Sequence, residues 1–160
     1  MTETIRMTGV LDPRDEWEAE GCPIAASLEL VGTRSAMLIL REAYYGATRF
    51  DQFTARTGLS EPVVSSRLRE LERAGVMGRE DYREPGQRTR KAYRLTEMGE
   101  DLLPVIIGLQ RWGNRWLPSG ERGSTEVVHR GCGAEVGTRL ECEEGHPVAP
   151  GELDLRHRPA

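Results

Sequence analysis

The sequence predicts a mainly α-helical protein with one small β-hairpin, an α+β fold. Three observations carry that expectation. Apolar residues recur at helical spacing in successive segments between Cys22 and Leu117. Only "VMGREDYREPGQRTRKAYRLT" holds two extended runs, and they flank a Pro85-Gly86 turn. A chain of 160 residues, 38% hydrophobic and 30% charged, suits one globular domain with a real core and a small appendage.

The elements follow in order. Residues 1–13 are expected to be a flexible arm, and "PRDEWEAEG" a short helix ending at Gly21. In "CPIAASLELVG", Pro23 suits a first helical position, and Ile24, Leu28 and Val31 form an apolar face. Gly32 breaks that helix. A buried helix with Met37, Leu38, Ile39 and Leu40 follows, and Gly46 is its expected C-cap. "RFDQFTARTGLS" predicts a short helix with Phe50 and Phe53 inward, stopped by Gly58.

Ser60 is the expected N-cap of the next helix, and Pro62 is tolerated in its first turn. Here Val64, Leu68 and Leu71 fall at i, i+4 and i+7, a single apolar stripe. Pro62, Ser66, Arg69 and Arg73 therefore point the other way. A short helix, a glycine turn and a second amphipathic helix make a helix-turn-helix pattern. The hairpin after it carries Arg83, Gln87, Arg88, Thr89, Arg90 and Lys91 at its tip and flanks, which is how a winged helix is built. Thr96 is placed to cap a last long helix with the apolar stripe Leu102, Ile106, Leu109, Trp112 and Trp116. Pro104 is expected to kink this helix or to mark its effective start. The expected boundaries are thus an arm at 1–13, the winged-helix domain at 14–117, a linker at 118–126 and a Cys/His-bearing, β-rich tail at 127–160.

Charge supports the pattern by position, not by total. The net charge is −4, yet Ser60 to Leu95 holds nine basic and six acidic residues, a local +3 that leaves −7 for the remainder. Lys91 is the only lysine, so abundant arginine is a compositional bias and carries no argument alone. No apolar run approaches the ~20 residues of a membrane span. The N-terminus has no apolar stretch of the signal-peptide kind, and a cytoplasmic protein is expected.

The ordered set "CPIAASLELVG", "LILREAYYGATRFDQF", "VSSRLRELERAGV" and "YRLTEMGEDLLPVIIGLQRWGNRWL" resembles the HxlR family of bacterial winged-helix transcriptional regulators, relatives of the MarR group. The match runs from about Cys22 to Leu117. The resemblance implies a homodimer paired through terminal helices, with two recognition helices entering successive major grooves of a double-stranded DNA operator. A repressor is the expected regulator. Relatives usually carry a Lys-Trp-Thr-like run where this chain has "TRSAM", so a bulky aromatic is missing at Ser35.

For DNA, Ser60 and the helix N-terminus are assigned to phosphate, and Ser66 and Arg69 to base edges, with Pro62 on the same face. An arginine makes two parallel hydrogen bonds to guanine O6 and N7, worth roughly 1–3 kcal/mol of discrimination. Val63 is assigned to a thymine methyl, Arg67 to phosphate, and Arg83, Arg88, Arg90 and Lys91 to backbone or minor groove. Sequence spacing offers no Glu-to-Arg i,i+4 ion pair along this face, which disfavours a merely solvated surface.

Two inputs are open. Cys22 precedes a helix N-terminus, where the thiolate is favoured, and some relatives sense oxidants at this position; the plain reading is a half-buried structural cysteine. In the tail, His129-x2-Cys132 and Cys142-x3-His146 are four ligands in two short pairs, the layout of a zinc ribbon. Some relatives have a similar tail with a CxxC as its second half, and the resemblance implies a cysteine where this chain has Gly145, so a Cys132–Cys142 disulfide or a metal-free hairpin stays open beside zinc. The Trp112/Trp116 stripe is core or interface, or else one wall of a small-effector pocket. No phosphate loop, nucleophile elbow or HExxH motif points to an enzyme. The competing reading is a winged helix that docks proteins without reading DNA.

Overall fold

The computed structural model describes residues 4–12, 21–82, 90–118 and 124–157. The proposed helix over residues 13–20 and the wing residues Arg83 and Arg88 lie outside them. The chain forms two compact units, Met1–Cys22 with Thr138–Ala160, and Pro23–Gly137. This division departs from the expected boundaries at 13/14 and 126/127, and it splits the tail between the units.

In the first unit, strand β1 (Arg6–Met7) pairs in parallel with β4 (Asp154–Leu155). Arg6 therefore does not belong to a loose arm. Its guanidinium grips the Asp154 carboxylate through two bonds, Nε to Oδ1 at 2.7 Å and Nη2 to Oδ2 at 2.9 Å. That fork raises the Arg6 pKa and lowers that of Asp154, in both cases chiefly through the side-chain hydrogen bond. A turn closes at Cys142–Gly145, where Gly145 takes φ +78° and Cys142 N donates to His146 O.

The second unit holds α1 (Pro23–Val31), α2 (Arg34–Tyr44), α3 (Phe50–Thr57), α4 (Glu61–Arg73), β2 (Met77–Tyr82), β3 (Arg90–Leu95), α5 (Glu97–Glu100) and α6 (Leu103–Trp116). Its core gathers Ile39 and Leu40 from α2, Phe53 from α3, Val64, Leu68 and Leu71 from α4, Val76, Met77 and Tyr93 from the wing, and Ile106 from α6. Each such side chain contributes roughly 1.5–3 kcal/mol by leaving water. The Phe53 and Tyr93 rings meet edge to face, with centroids 6.0 Å apart.

Local chemistry explains the breaks. At Gly32 a Cβ would lie 2.4 Å from the Leu28 carbonyl oxygen, so only glycine lets α1 stop and the chain turn. The Thr33 side chain then caps α2 by accepting from Ala36 N at 3.2 Å. Gly58 ends α3 in the left-handed region at φ +67°. The expected long last helix is in fact two. Thr96 caps α5 by accepting from Gly99 N, and α6 restarts at Leu103 with Pro104 in its first turn. Pro104 marks a start, since it has no N–H to lose there.

The apolar face of α1 is only partly covered. Ile24 and Leu28 are exposed, and only Val31 of that face enters the core. On α6, Ile106 is buried while Leu109, Trp112 and Trp116 are exposed. No single described helix is long and apolar enough to cross a membrane.

Candidate nucleic-acid interface

Helix α4 has two faces. Val64, Leu68 and Leu71 are buried beneath it, and Pro62, Val63, Ser66, Arg69 and Arg73 are exposed above it. Ser60 stands at the N-cap position, and its carbonyl accepts from Val64 N at 3.0 Å. Its hydroxyl makes no capping bond, contrary to expectation. That leaves the hydroxyl exposed beside the free N–H groups of the first turn, where helices favour anions.

No Glu-to-Arg i,i+4 pair is expected on this face, and the pair that forms there has a different spacing. Glu70 is a hub: Ser66 Oγ donates to its Oε1 at 2.9 Å, and Arg67 Nη1 donates to its Oε2. The ion pair is i,i+3, a spacing as close on a helix as i,i+4. Arg67 is half-buried, and its Nε is buried without a hydrogen-bond partner. Glu72 is drawn aside by Arg79, 3.2 Å away. Among the described residues Arg69 and Arg73 face no carboxylate at ion-pair distance; Arg69 Nε rests on Ser65 O at 3.1 Å. Arg69 is thus the exposed guanidinium on α4 best placed to exchange a weak internal contact for an external one.

The wing stands beside this helix. Strands β2 and β3 pair antiparallel from Met77↔Leu95 to Tyr82↔Arg90. Arg90 and Lys91 are exposed at its far end, with Lys91 Nζ 2.6 Å from its cross-strand neighbour Asp81. The segment before α3 adds a third partner, because Tyr93 N donates to Thr48 O at 2.7 Å. Sequence reasoning missed what this brings to the surface: Arg49, the residue after Thr48, beside the wing's Tyr82. The available signal was an arginine next to the first aromatic of the α3 pattern, Phe50.

The remaining candidates separate. Cys22 is half-buried just before α1, and Cys22, Cys132 and Cys142 are all free thiols, so the disulfide alternative is not formed. His129 Nδ1 lies 3.2 Å from Cys132 Sγ across a tight turn of the second unit. Cys142 and His146 belong to the first unit. Among the described residues no group of three or more His, Cys, Asp or Glu side chains is gathered that could hold a metal ion.

Comparison with known proteins decides the family. The profile of the HxlR-like helix-turn-helix family matches residues 30–121, more than half the chain.

The chain belongs to the HxlR-like helix-turn-helix family.

Among relatives of this HxlR-like chain, the HTH-type transcriptional regulator Rv3095 of Mycobacterium tuberculosis is 42% identical over 123 residues, covering 77% of each chain. The crystal structure of PA1607, a candidate transcription factor, is similar with a TM-score of 0.74 and 29% identity over 84% of this chain and 94% of that one. The redox regulator HypR in its oxidized form is similar with a TM-score of 0.55 and 26% identity over 61% of this chain and 100% of that one. The winged helix-turn-helix expected from the sequence is therefore the fold of this HxlR-like protein.

Proposed function

We propose that the protein is a sequence-specific DNA-binding transcriptional regulator, acting as a homodimeric repressor. The observation that carries this reading is the outer face of α4. Its inner face is wholly spent on the core, while Ser66 and Arg69 stand exposed between a free first turn and the basic end of the wing. Base edges are met by Ser66, Arg69 and Val63 from α4. Phosphates are met by Ser60, Arg67, Arg90 and Lys91, which set register without reading sequence. Arg83 and Arg88 extend the wing's part. Relatives named as HTH-type transcriptional regulators support the reading over protein docking.

Dimerisation is supported by the apolar side chains that α1 and α6 leave in solvent, Ile24, Leu28, Leu109, Trp112 and Trp116. Two inputs are consistent with it. A largely apolar cleft of about 530 Å³ lies between α2 and α6, lined by Met37, Leu38, Ile106 and Leu109 with Arg34 and Arg41 at hand, a size that suits a small effector. The free thiol of Cys22 offers a redox input, in line with the redox regulator HypR as a structural neighbour. No step of this reading uses zinc.

The test is fluorescence anisotropy on a duplex selected by the protein from a random pool. Wild type is expected to prefer it over an unrelated duplex. Arg69→Ala should lose roughly 1–3 kcal/mol on the selected duplex, concentrated at one base position. A protein without preference for any selected duplex would sink the reading.

A further inference from the structure

The loop entering α3 is tied to both neighbours. Thr48 O accepts from Tyr93 N of the wing, while Gln52 Oε1 accepts from Thr48 N at 2.9 Å and from Arg49 N at 3.0 Å. The backbone of Arg49 is thereby fixed against β3. Between them opens a cleft of about 460 Å³, lined by Arg49, Phe50, Asp51, Tyr82, Arg90 and Lys91.

The cleft's chemistry suits an oxygen-rich anion. Three of those six residues are cations. Among the described residues two carboxylates stand at ion-pair distance from them, Asp51 at 3.3 Å from Arg49 Nε and Asp81 at 2.6 Å from Lys91 Nζ. The Asp51 carboxylate above all, and the Tyr82 phenol oxygen to a lesser degree, hold the Arg49 pKa above its ordinary value. Tyr82 Oη is itself screened from solvent and makes no hydrogen bond of full geometry. A shielded hydroxyl with an unspent donor is costly unless something accepts from it. Arg90 and Lys91 of the wing line the cleft and are exposed, so a ligand that the wing's basic end approaches is within reach of the cleft.

We propose that this cleft seats one phosphate of the DNA backbone, with Arg49 and Tyr82 as binding residues alongside Arg90 and Lys91; the proposal rests on the DNA-binding reading above. Arg49 supplies charge from a backbone that is already fixed, and Tyr82 supplies the hydroxyl. The seat positions the duplex against α4 and carries no sequence information. Its signature is therefore electrostatic and uniform across sequences.

The experiment measures Kd by anisotropy between 50 and 200 mM salt, for wild type, Arg49→Ala, Arg49→Lys and Tyr82→Phe, on a selected and an unrelated duplex. Each phosphate contact contributes about 0.9 to the slope of log K against log salt, so Arg49→Ala should lower the slope by about 0.9 per bound protomer. Per protomer, the advantage of wild type over Arg49→Ala should then shrink about 3.5-fold across that salt range. The weakening should be equal on both duplexes, leaving their affinity ratio unchanged. Arg49→Lys should restore the slope, which separates charge from folding, and Tyr82→Phe should weaken binding with the slope intact. Wild-type binding with an unchanged slope in Arg49→Ala overturns the seat alone. So does a loss confined to the selected duplex. A wild-type protein that binds neither duplex removes the DNA-binding reading and the seat together.

Discussion

In α4 the apolar side chains Val64, Leu68 and Leu71 are 0% exposed, whereas in α6 Leu109, Trp112 and Trp116 keep 51%, 56% and 61% of their surface in solvent. Both helices are amphipathic by sequence. The difference lies in what surrounds them. α4 is packed by α2, α3 and the wing, so its hydrophobic requirement is met within the chain. α6 buries only Ile106 and Ile107. A helix whose apolar side is already covered can offer its polar side to DNA. A helix whose apolar side is uncovered calls for another surface, which in the proposed homodimer would be that of a second copy.

That contrast can be broken from either side. The largest effect is expected in the closed helix: Leu68→Ala should cost about 2–5 kcal/mol of folding stability in urea denaturation, through lost transfer energy and a cavity. A cost near zero would mean that α4 is not the keystone described. Next comes the open helix. Trp112→Glu with Trp116→Glu should leave the fold intact by circular dichroism while light scattering falls from a dimer to the 17.9 kDa chain. Operator affinity should then drop by about 100-fold or more, because the second half-site is no longer bound in cis. An unchanged mass would transfer those tryptophans to another role. The smallest effect probes the polar side of α4. Glu70→Ala removes a negative charge from the proposed DNA face and releases Ser66 and Arg67, so binding should tighten roughly two- to fivefold, a small effect because the Arg67–Glu70 pair is partly solvated. Weaker binding instead would make Glu70 a positioning residue for Ser66.

The parts of this molecule that were legible in its sequence are the local ones. The α4 stripe, the Gly58 stop, the Thr96 cap and the Pro104 start each depend on residues within a few positions of one another. The missed parts depend on distance or on rotamers. Arg6 and Asp154 pair across nearly the whole chain through strands of two residues, too short to show any period. The Thr48–Tyr93 bridge, which brings Arg49 to the wing, joins segments with no shared pattern. The Glu70 hub escaped because spacing was searched at i,i+4 for Glu before Arg, while the pair that forms is Arg67 before Glu70. The exposure of Ile24 and Leu28 on α1 has a related cause: periodicity says which side is apolar, not whether the chain itself covers it.

Gly99 sits where α5 meets the root of the wing. A Cβ there would lie 2.3 Å from the Val76 carbonyl oxygen. Thr96 N donates to that same oxygen at 3.1 Å, and the Tyr44 hydroxyl donates to Gly99 O, its phenol pushed up to about 12 mainly by burial. In mechanical terms this is a joint without play. The end of α4, the root of the wing and the start of α5 therefore meet at one crowded point. A side chain forced in at residue 99 would have to push aside the Val76 carbonyl and the Leu95 side chain, and so would open this junction.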